Sequence, residues 1–395
     1  MAVDQDLAQA PLDRWRALVL ADSALQDELQ AIDEMDSFIA LSVARAAVHG
    51  IHLGEDQLKD ALRPDPLGLS RWSVGAPPSA AVPQRGWLPV GIVPAQGEYA
   101  VDWAYFGARA LNEPFYENSI QSVMRQPLNR LARPRTRLAD LARCGAQHGA
   151  LRPSGFIFHM SRCGSTLVSQ MLASDPRNIV ISEASPLDTV VRIDLGAGDA
   201  HGRLLQDMVA ALGQRRTSAH SRYFIKLDSW HTLALPLFRR AFPDVPWVFL
   251  YREPSEVLAS QVIQRGIQTV PEYLPPSLFG LNEEDALDPT DYCALVLGRT
   301  CEAAIEHCDL GGGLLVNYRD LPQALWTSIL PHFGVACSAQ EREAMTGAAK
   351  FDAKSPSMYF SQYNESKRQI MTDALRATAE RRLGKVYRQL ESARA

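Results

Sequence analysis

The chain has 395 residues, 46% hydrophobic and 22% charged, with a net charge of −5, the balance of a globular protein with room for one large domain and a smaller one. No apolar run reaches the roughly 18–20 residues of a membrane span, and six scattered cysteines without a CxxC pair exclude a disulfide framework. The opening M-A-V-D-Q-D is acidic and lacks an apolar stretch, so no secretory signal is expected and the reading is a cytoplasmic chain with reduced thiols.

Charge is uneven along the chain. Residues 1–65 hold thirteen Asp/Glu against five Lys/Arg, a local charge of −8 that leaves +3 for the remainder. That is too little positive charge for a nucleic-acid binder and suits a small anionic ligand held by local Arg/Lys clusters. Within 11–63 the apolar stripes of Leu18, Leu25, Leu29, Ile32, Phe38, Ile39, Leu41, Val43, Leu58 and Leu62 predict helices throughout. Ser23-Ala24-Leu25-Gln26 has the form of a capping box, and Gly50 and Pro64 are stop signals. By residue chemistry this is a small acidic helical domain for packing or solubility. The run from Arg14 through Leu62 also resembles the nitrogen-fixation-type leader-peptide domain of natural-product precursor peptides in its helix lengths and apolar positions. The resemblance implies a module that recognises a peptide or protein partner through residues 1–65.

Residues 66–86, rich in Pro, Gly, Ser and Ala, read as a linker. Short strands are expected at 86–90 and 99–105 and a helix at 117–132, so that 87–150 forms an extension packing on the core. Trp103, Tyr105, Phe106, Phe115 and Tyr116 are a packing pad or, alternatively, part of an apolar acceptor site. From Gly155 onward strands and helices alternate. Strands are predicted at 155–158, 179–181, 223–225, 247–251 and 313–317, with helices at 204–212, 233–242, 257–263 and 290–308 between them. The Pro-rich acidic stretch 271–289 is long enough for a lid or gate. Such alternation predicts an α/β domain over 151–395, a three-layer sandwich with a central parallel sheet, whose ligand lies beyond the C-terminal strand ends.

At such an end stands Phe156-Ile157-Phe158-His159-Met160-Ser161-Arg162-Cys163-Gly164-Ser165-Thr166, a strand, a loop of small residues and the start of a helix. This order aims backbone N–H groups and a helix N-terminus at an anion, and Arg162 adds a fork of charged donors. A nucleoside-triphosphate loop requires G-x-x-x-x-G-K-[ST], whereas Gly164 is followed by Ser165 and His159 occupies the position of the first glycine. A cysteine phosphatase requires Arg six residues after its Cys, where this chain has Ser169. Cys163 is read as a small buried filler whose position at a helix N-terminus could also lower its pKa.

Ser161–Thr166 resembles the 5′-phosphosulfate loop of the sulfotransferases, P-[KR]-S-G-T-T, with Ser161 for Pro and Cys163 for Ser. A second stretch, Trp247 to Ser260, runs strand, Arg252-Glu253-Pro254, helix, with Ser260 eight residues after Arg252, and resembles the family's 3′-phosphate site. Leu315–Leu321 resembles its strand followed by Y-[ED]-D-L, Phe333-Gly334 its F-L-G ending, and Tyr223–Lys226 its third strand. The resemblance spans roughly 155–335 and implies a P-loop-like phosphosulfate loop and a donor, 3′-phosphoadenosine 5′-phosphosulfate (PAPS), which leaves as PAP, with no metal. Arg162, Cys163, Gly164, Ser165 and Thr166 would bind its 5′-phosphosulfate, and Arg252 and Ser260 its 3′-phosphate. By the same resemblance Glu183, twenty-one residues after Arg162, is the general base, and Arg162 and Lys226 act on the transferring sulfonate. Glu183 could instead cap the helix from Pro186, and Lys226 could pair with Asp228. His231 is a weaker base candidate, and Arg319, Lys354 and Arg368 are further cations that could approach the 3′-phosphate. The implied activity moves a sulfuryl group to a hydroxyl or amine of a small molecule, sugar or peptide. A kinase-like phosphotransferase and a non-catalytic partner-binding protein remain alternatives.

Overall fold

The structure, a computed structural model, describes residues 11–63, 82–95, 97–193, 199–282, 287–352, 355–359 and 370–394. Lys354, Arg368 and most of the expected linker lie outside the described residues. The chain divides into two compact units, one comprising Met1–Ala110, Glu117–Leu151 and Asp207–Ser218, the other Leu111–Tyr116, Arg152–Gln206 and Ala219–Ala395.

The first unit contains helices α1 (Pro11–Ala21), α2 (Ser23–Gln30), α3 (Met35–Val48) and α4 (Glu55–Ala61), where apolar periodicity predicted helix. A three-stranded antiparallel sheet follows, β1 (Trp87–Ala95), β2 (Glu98–Tyr105) and β3 (Arg135–Arg137), with α5 (Tyr116–Met124), α6 (Pro127–Leu131) and α7 (Ala142–His148). The expected capping box is absent, and its failure has a physical cause. Asp22 caps α2 instead, accepting from the N–H groups of Ala24 and Leu25 at 2.9 and 3.1 Å. Gln26 is fully buried, donates to Val19 O at 2.8 Å and accepts from Trp87 Nε1 at 3.1 Å. A buried indole N–H requires an acceptor, and Gln26 serves that need in place of the cap. Trp103, Tyr105 and Phe106 are buried and pack as core.

The second unit is built on β4 (Gly155–His159), α8 (Ser165–Ala173), β5 (Asn178–Ser182), α9 (Ser185–Arg192), α10 (Ala200–Leu212), β6 (Arg222–Lys226), α11 (Leu235–Ala241), β7 (Trp247–Tyr251), α12 (Pro254–Ile263), α13 (Pro289–Glu306) and β8 (Gly313–Asn317). It ends with α14 (Ala339–Ala348), the pair β9 (Phe351–Asp352) and β10 (Ser355–Tyr359), α15 (Asp373–Ala379) and α16 (Lys385–Ala393). The five core strands lie parallel in the order β5-β6-β4-β7-β8. From β4 the chain goes to β5, returns through β6, and crosses to β7 and β8. Crossovers of constant hand therefore put helices on both faces, as the α/β expectation required. Strands β4, β5 and β7 are buried along their whole length, which is why they read as unbroken apolar runs. Phe156 and Phe158 meet Phe238 edge-on at 5.4 Å between centroids. The described part of the 271–289 insertion is anchored, since Leu274, Phe279 and Leu281 pack with Trp230, Tyr292 and Val296. Among the described residues no helix is long and apolar enough to cross a membrane.

A candidate anion site at the switch point of the sheet

Strand order reverses at β4, so the loops leaving β4 and β7 diverge and leave a crevice between them. The β4 loop turns sharply into α8 with three residues in the left-handed region, Ser161 (φ 74°), Arg162 (φ 54°) and Gly164 (φ 87°). A non-glycine residue held there is strained by about 1–3 kcal/mol, and two in succession mark a backbone fixed by its surroundings. His159 supplies part of that constraint. Its Nδ1 accepts from Ser161 N–H at 3.0 Å while Nε2 faces Leu227 O at 2.8 Å, which defines a neutral ring with the proton on Nε2. Burial holds the imidazole below its usual pKa, against the opposing pull of Glu183. Gly164 is required for space as well as for φ: a Cβ there would lie 2.7 Å from Tyr318 Cδ2 and 2.8 Å from Leu321 Cδ1.

The two sequence motifs meet side chain to side chain. Arg162 Nε donates to Ser260 Oγ at 2.9 Å and its Nη1 to Gln264 Oε1 at 3.2 Å. Ser161 Oγ accepts from Gln261 at 3.2 Å. Helix α12 and its C-cap thus present Ser260, Gln261 and Gln264 to the loop. Pro254 opens that helix at its first position, and Glu253 caps it by accepting from Ser255 and Glu256 N–H. Ser260 contacts Arg162, whereas Arg252 bonds Glu256 Oε2 at 2.5 Å and lies over the Tyr318 ring at 4.1 Å. The Arg252 backbone N–H meets Met160 Sδ at 3.3 Å, so the roots of both loops are in contact. Cys163 turns inward, its thiol donating to Leu250 O at 3.0 Å, and burial pushes its pKa up to about 12. Desolvation outweighs the helix N-terminus here, so no reactive thiolate forms and only the backbone of Cys163 faces the loop.

On the other side of the loop lies a chain of buried polar groups. Lys226, at the end of β6 and fully buried, bonds Glu183 Oε1 at 2.6 Å and Thr166 Oγ1 at 3.3 Å. Its ammonium lies 4.5 Å from the centroid of Phe115, which gives that aromatic a role distinct from the packing pad. Glu183 follows β5, also has positive φ (52°), and donates its backbone N–H to Lys226 O at 2.8 Å. It does not cap α9, whose N-cap is Ala184 with no side-chain bond. Burial works to raise the Glu183 carboxyl, but the Lys226 ammonium and the His159 ring hold it well below the usual carboxylate range, so it is ionised. Burial, with Glu183 and Asp188 nearby, pushes Asp228 up, so it holds a proton more readily.

Asp188, Asp228 and His231 bring potential metal-ligating atoms within 4.8 Å of one another. Asp188 is already engaged there. It accepts from Trp230 Nε1 at 2.7 Å, from His231 Nε2 at 3.0 Å and from Arg192 Nε at 2.9 Å. This arrangement fastens α9 to the turn after β6. His231 is fully buried, with its Nε2 bonded to Asp188 and, among the described residues, no hydrogen-bond partner for its buried Nδ1. Arg319 bonds Glu391 Oε2 at 2.6 Å.

Sequence reasoning passed over Gln264 and Tyr318 as site residues. Gln264 stands four residues beyond Ser260, at the C-cap of the same helix. Tyr318 sits inside a motif already recognised, but its contact with Arg252 required the fold.

Fold and site together define a parallel α/β protein whose loop-to-helix turn at the switch point gathers N–H groups and cationic side chains. No family profile matches the chain, and no curated protein does. Among solved structures it is similar to sulfotransferase STF1 from Mycobacterium tuberculosis H37Rv, with 15% identity and a TM-score of 0.39 over 65% of this chain and 83% of that one. It is also similar to the sulfotransferase domain from the curacin biosynthetic pathway, at 18% identity and TM-score 0.33 over 59% and 90%. Retinol dehydratase, solved with androsterone and the inactive cofactor PAP, matches at 15% identity and TM-score 0.33 over 63% and 84%.

Proposed function

We propose that this protein is a sulfotransferase that moves a sulfuryl group from PAPS to a hydroxyl or amine acceptor. The observation that carries the reading is the bond from Arg162 to Ser260. It joins the loop expected to hold a 5′-phosphosulfate to the helix expected to hold a 3′-phosphate, two stretches 98 residues apart. The donor set suits a ligand with roughly three to four negative charges, since each phosphate finds a guanidinium and either a helix N-terminus or a hydroxyl. When bound, the donor supplies an activated sulfuryl group.

The roles of the chain's own groups follow from their places. The N–H groups of Gly164, Ser165 and Thr166, with the Ser165 and Thr166 hydroxyls, face the 5′-phosphosulfate, and Arg162 neutralises it. Arg252, over the Tyr318 ring, would hold the 3′-phosphate, and Ser260 would add a hydroxyl. Lys226 meets the sulfonate beside Thr166, and Glu183 takes the acceptor's proton. A carboxylate held as low as Glu183 is a weak base, and it gains basicity as Lys226 commits its charge to the donor.

Isothermal titration of the full chain tests the proposal. Adenosine 3′,5′-bisphosphate is expected to bind without a metal, and ATP with Mg²⁺ to bind far more weakly. The reverse order would assign a phosphotransferase, and binding of neither would refute a nucleotide-donor enzyme.

A further inference from the structure

Beyond the residues that would touch the donor, one carboxylate joins the ends of the two strands that carry the 3′-phosphate side of the site. Glu391 lies on α16, 140 residues from Tyr251 and 74 from Asn317. Its Oε1 accepts from Tyr251 Oη at 2.5 Å and from Asn317 Nδ2 at 2.9 Å, and its Oε2 accepts from Arg319 Nη2 at 2.6 Å. Tyr251 is the last residue of β7 and Asn317 the last of β8, and both are almost completely buried. The bonding continues outward: Asn317 Oδ1 accepts from Arg319 N–H at 3.0 Å, Asn317 Nδ2 also donates to Tyr387 Oη at 3.2 Å, and the Tyr251 and Tyr387 rings meet edge-on at 5.9 Å.

The next residue along each strand is the functional one. Arg252 follows Tyr251 and Tyr318 follows Asn317, and these two form the stack at 4.1 Å. Tyr318 is also the ring against which Gly164 closes. A hydrogen-bonded carboxylate shared by adjacent strands fixes their relative height and twist at this point.

We infer that Glu391 is a positioning residue: by bonding Tyr251, Asn317 and Arg319 at once, it holds Arg252 over Tyr318 in the orientation that receives a 3′-phosphate. The assignment rests on the proposed donor site and says which part of that site the C-terminal helix controls. Specificity is the property it governs. Loss of Glu391 disorders the 3′-phosphate contacts, whereas the 161–166 loop keeps its own supports in His159, Gln261 and Ser260.

The test compares two probes, adenosine 3′,5′-bisphosphate and adenosine 5′-monophosphate, by titration calorimetry against the full-length protein and its variants. Glu391→Ala is expected to weaken the bisphosphate about tenfold, close to 1.4 kcal/mol, and the monophosphate about twofold or less. Glu391→Gln keeps an oxygen for Tyr251 and Asn317 and should recover most of that loss. Tyr251→Phe, a milder change that retains the ring packing, is expected to produce the same selective loss at about threefold. Arg252→Ala sets the full size of the 3′-phosphate contribution. Equal loss of both probes, or bisphosphate affinity unchanged in Glu391→Ala and Tyr251→Phe, overturns the inference and leaves the donor reading standing. A wild-type protein that binds neither probe overturns the donor reading, and the inference with it.

Discussion

Glu183→Gln tests both the proposed chemistry and the physics of the site. Glu183 is three-quarters buried and faces Lys226 Nζ at 2.6 Å, and Lys226 has no exposed surface. Removing one partner of a buried ion pair costs about 3–5 kcal/mol, because the remaining charge loses its counter-ion. Glutamine keeps a carbonyl oxygen at the same position, so the lower end, about 3 kcal/mol, is expected. At 2–4 °C per kcal/mol for a unit of this size, the melting midpoint should fall by roughly 6–12 °C. Turnover should fall by about 10²-fold or more through loss of the base, with affinity for adenosine 3′,5′-bisphosphate kept within about threefold. Thermal denaturation, product assay with labelled donor, and calorimetry read the three quantities separately. Lys226→Met added to Glu183→Gln should recover stability but not turnover, since the stranded charge is gone and the base remains absent. Turnover near wild type in Glu183→Gln refutes the base assignment. An unchanged midpoint refutes the buried pair.

Other expectations follow from single features. Gly164→Ala should lower stability by about 2–4 kcal/mol, combining the left-handed backbone penalty with contacts at 2.7 and 2.8 Å to Tyr318 and Leu321, and should abolish bisphosphate binding; a variant with wild-type melting and affinity would contradict the loop geometry. The half-buried Cys308 and Cys337 should react with a thiol reagent in the native protein at pH 8, and Cys163 should react only on unfolding. Rapid native labelling of Cys163 would show that its side chain does not face Leu250. Burial pushes Cys163 to about 12 and Cys293 to about 11, while unfolded thiols ionise near 8.5, so the unfolded state loses protons first. Stability should therefore fall as pH rises from about 8.5 to 10, and a flat thermal midpoint over that range would refute the burial of these thiols.

Much of the fold is legible in the linear chain because its determinants are local. Phe156-Ile157-Phe158 and Trp247–Tyr251 have the continuous apolar character of strands covered on both faces, and the alternation with helices implies the parallel sheet. The loop could be located from Gly164, Arg162 and the paired hydroxyls. The competing chemistries were narrowed by residues that are missing: a lysine after Gly164 and an arginine at 169. Local signals failed where a tertiary demand outweighed them. Ser23-Ala24-Leu25-Gln26 has the composition of a cap, yet Gln26 serves a buried tryptophan. Cys163, by contrast, is the small buried filler expected of it, because the sheet desolvates it despite its place at a helix N-terminus.

The pairings inside the site belong to the other category. Sequence order places Ser260 after Arg252, and only the packing of α12 against the β4 loop directs it to Arg162. Lys226 could have met Asp228 or Glu183; the left-handed turn at Glu183 and the bond from its N–H to Lys226 O select the second. Glu391 carries no motif at all, because its meaning lies in two strand ends brought together by the sheet. The sequence by itself determined most of the elements, the parallel character of the core and the place of the small-residue loop before α8, since periodicity and small-residue spacing act over a few residues. Tertiary structure alone decided which charge meets which, because those contacts join positions tens to hundreds of residues apart and depend on strand order, helix rotation and exclusion of water.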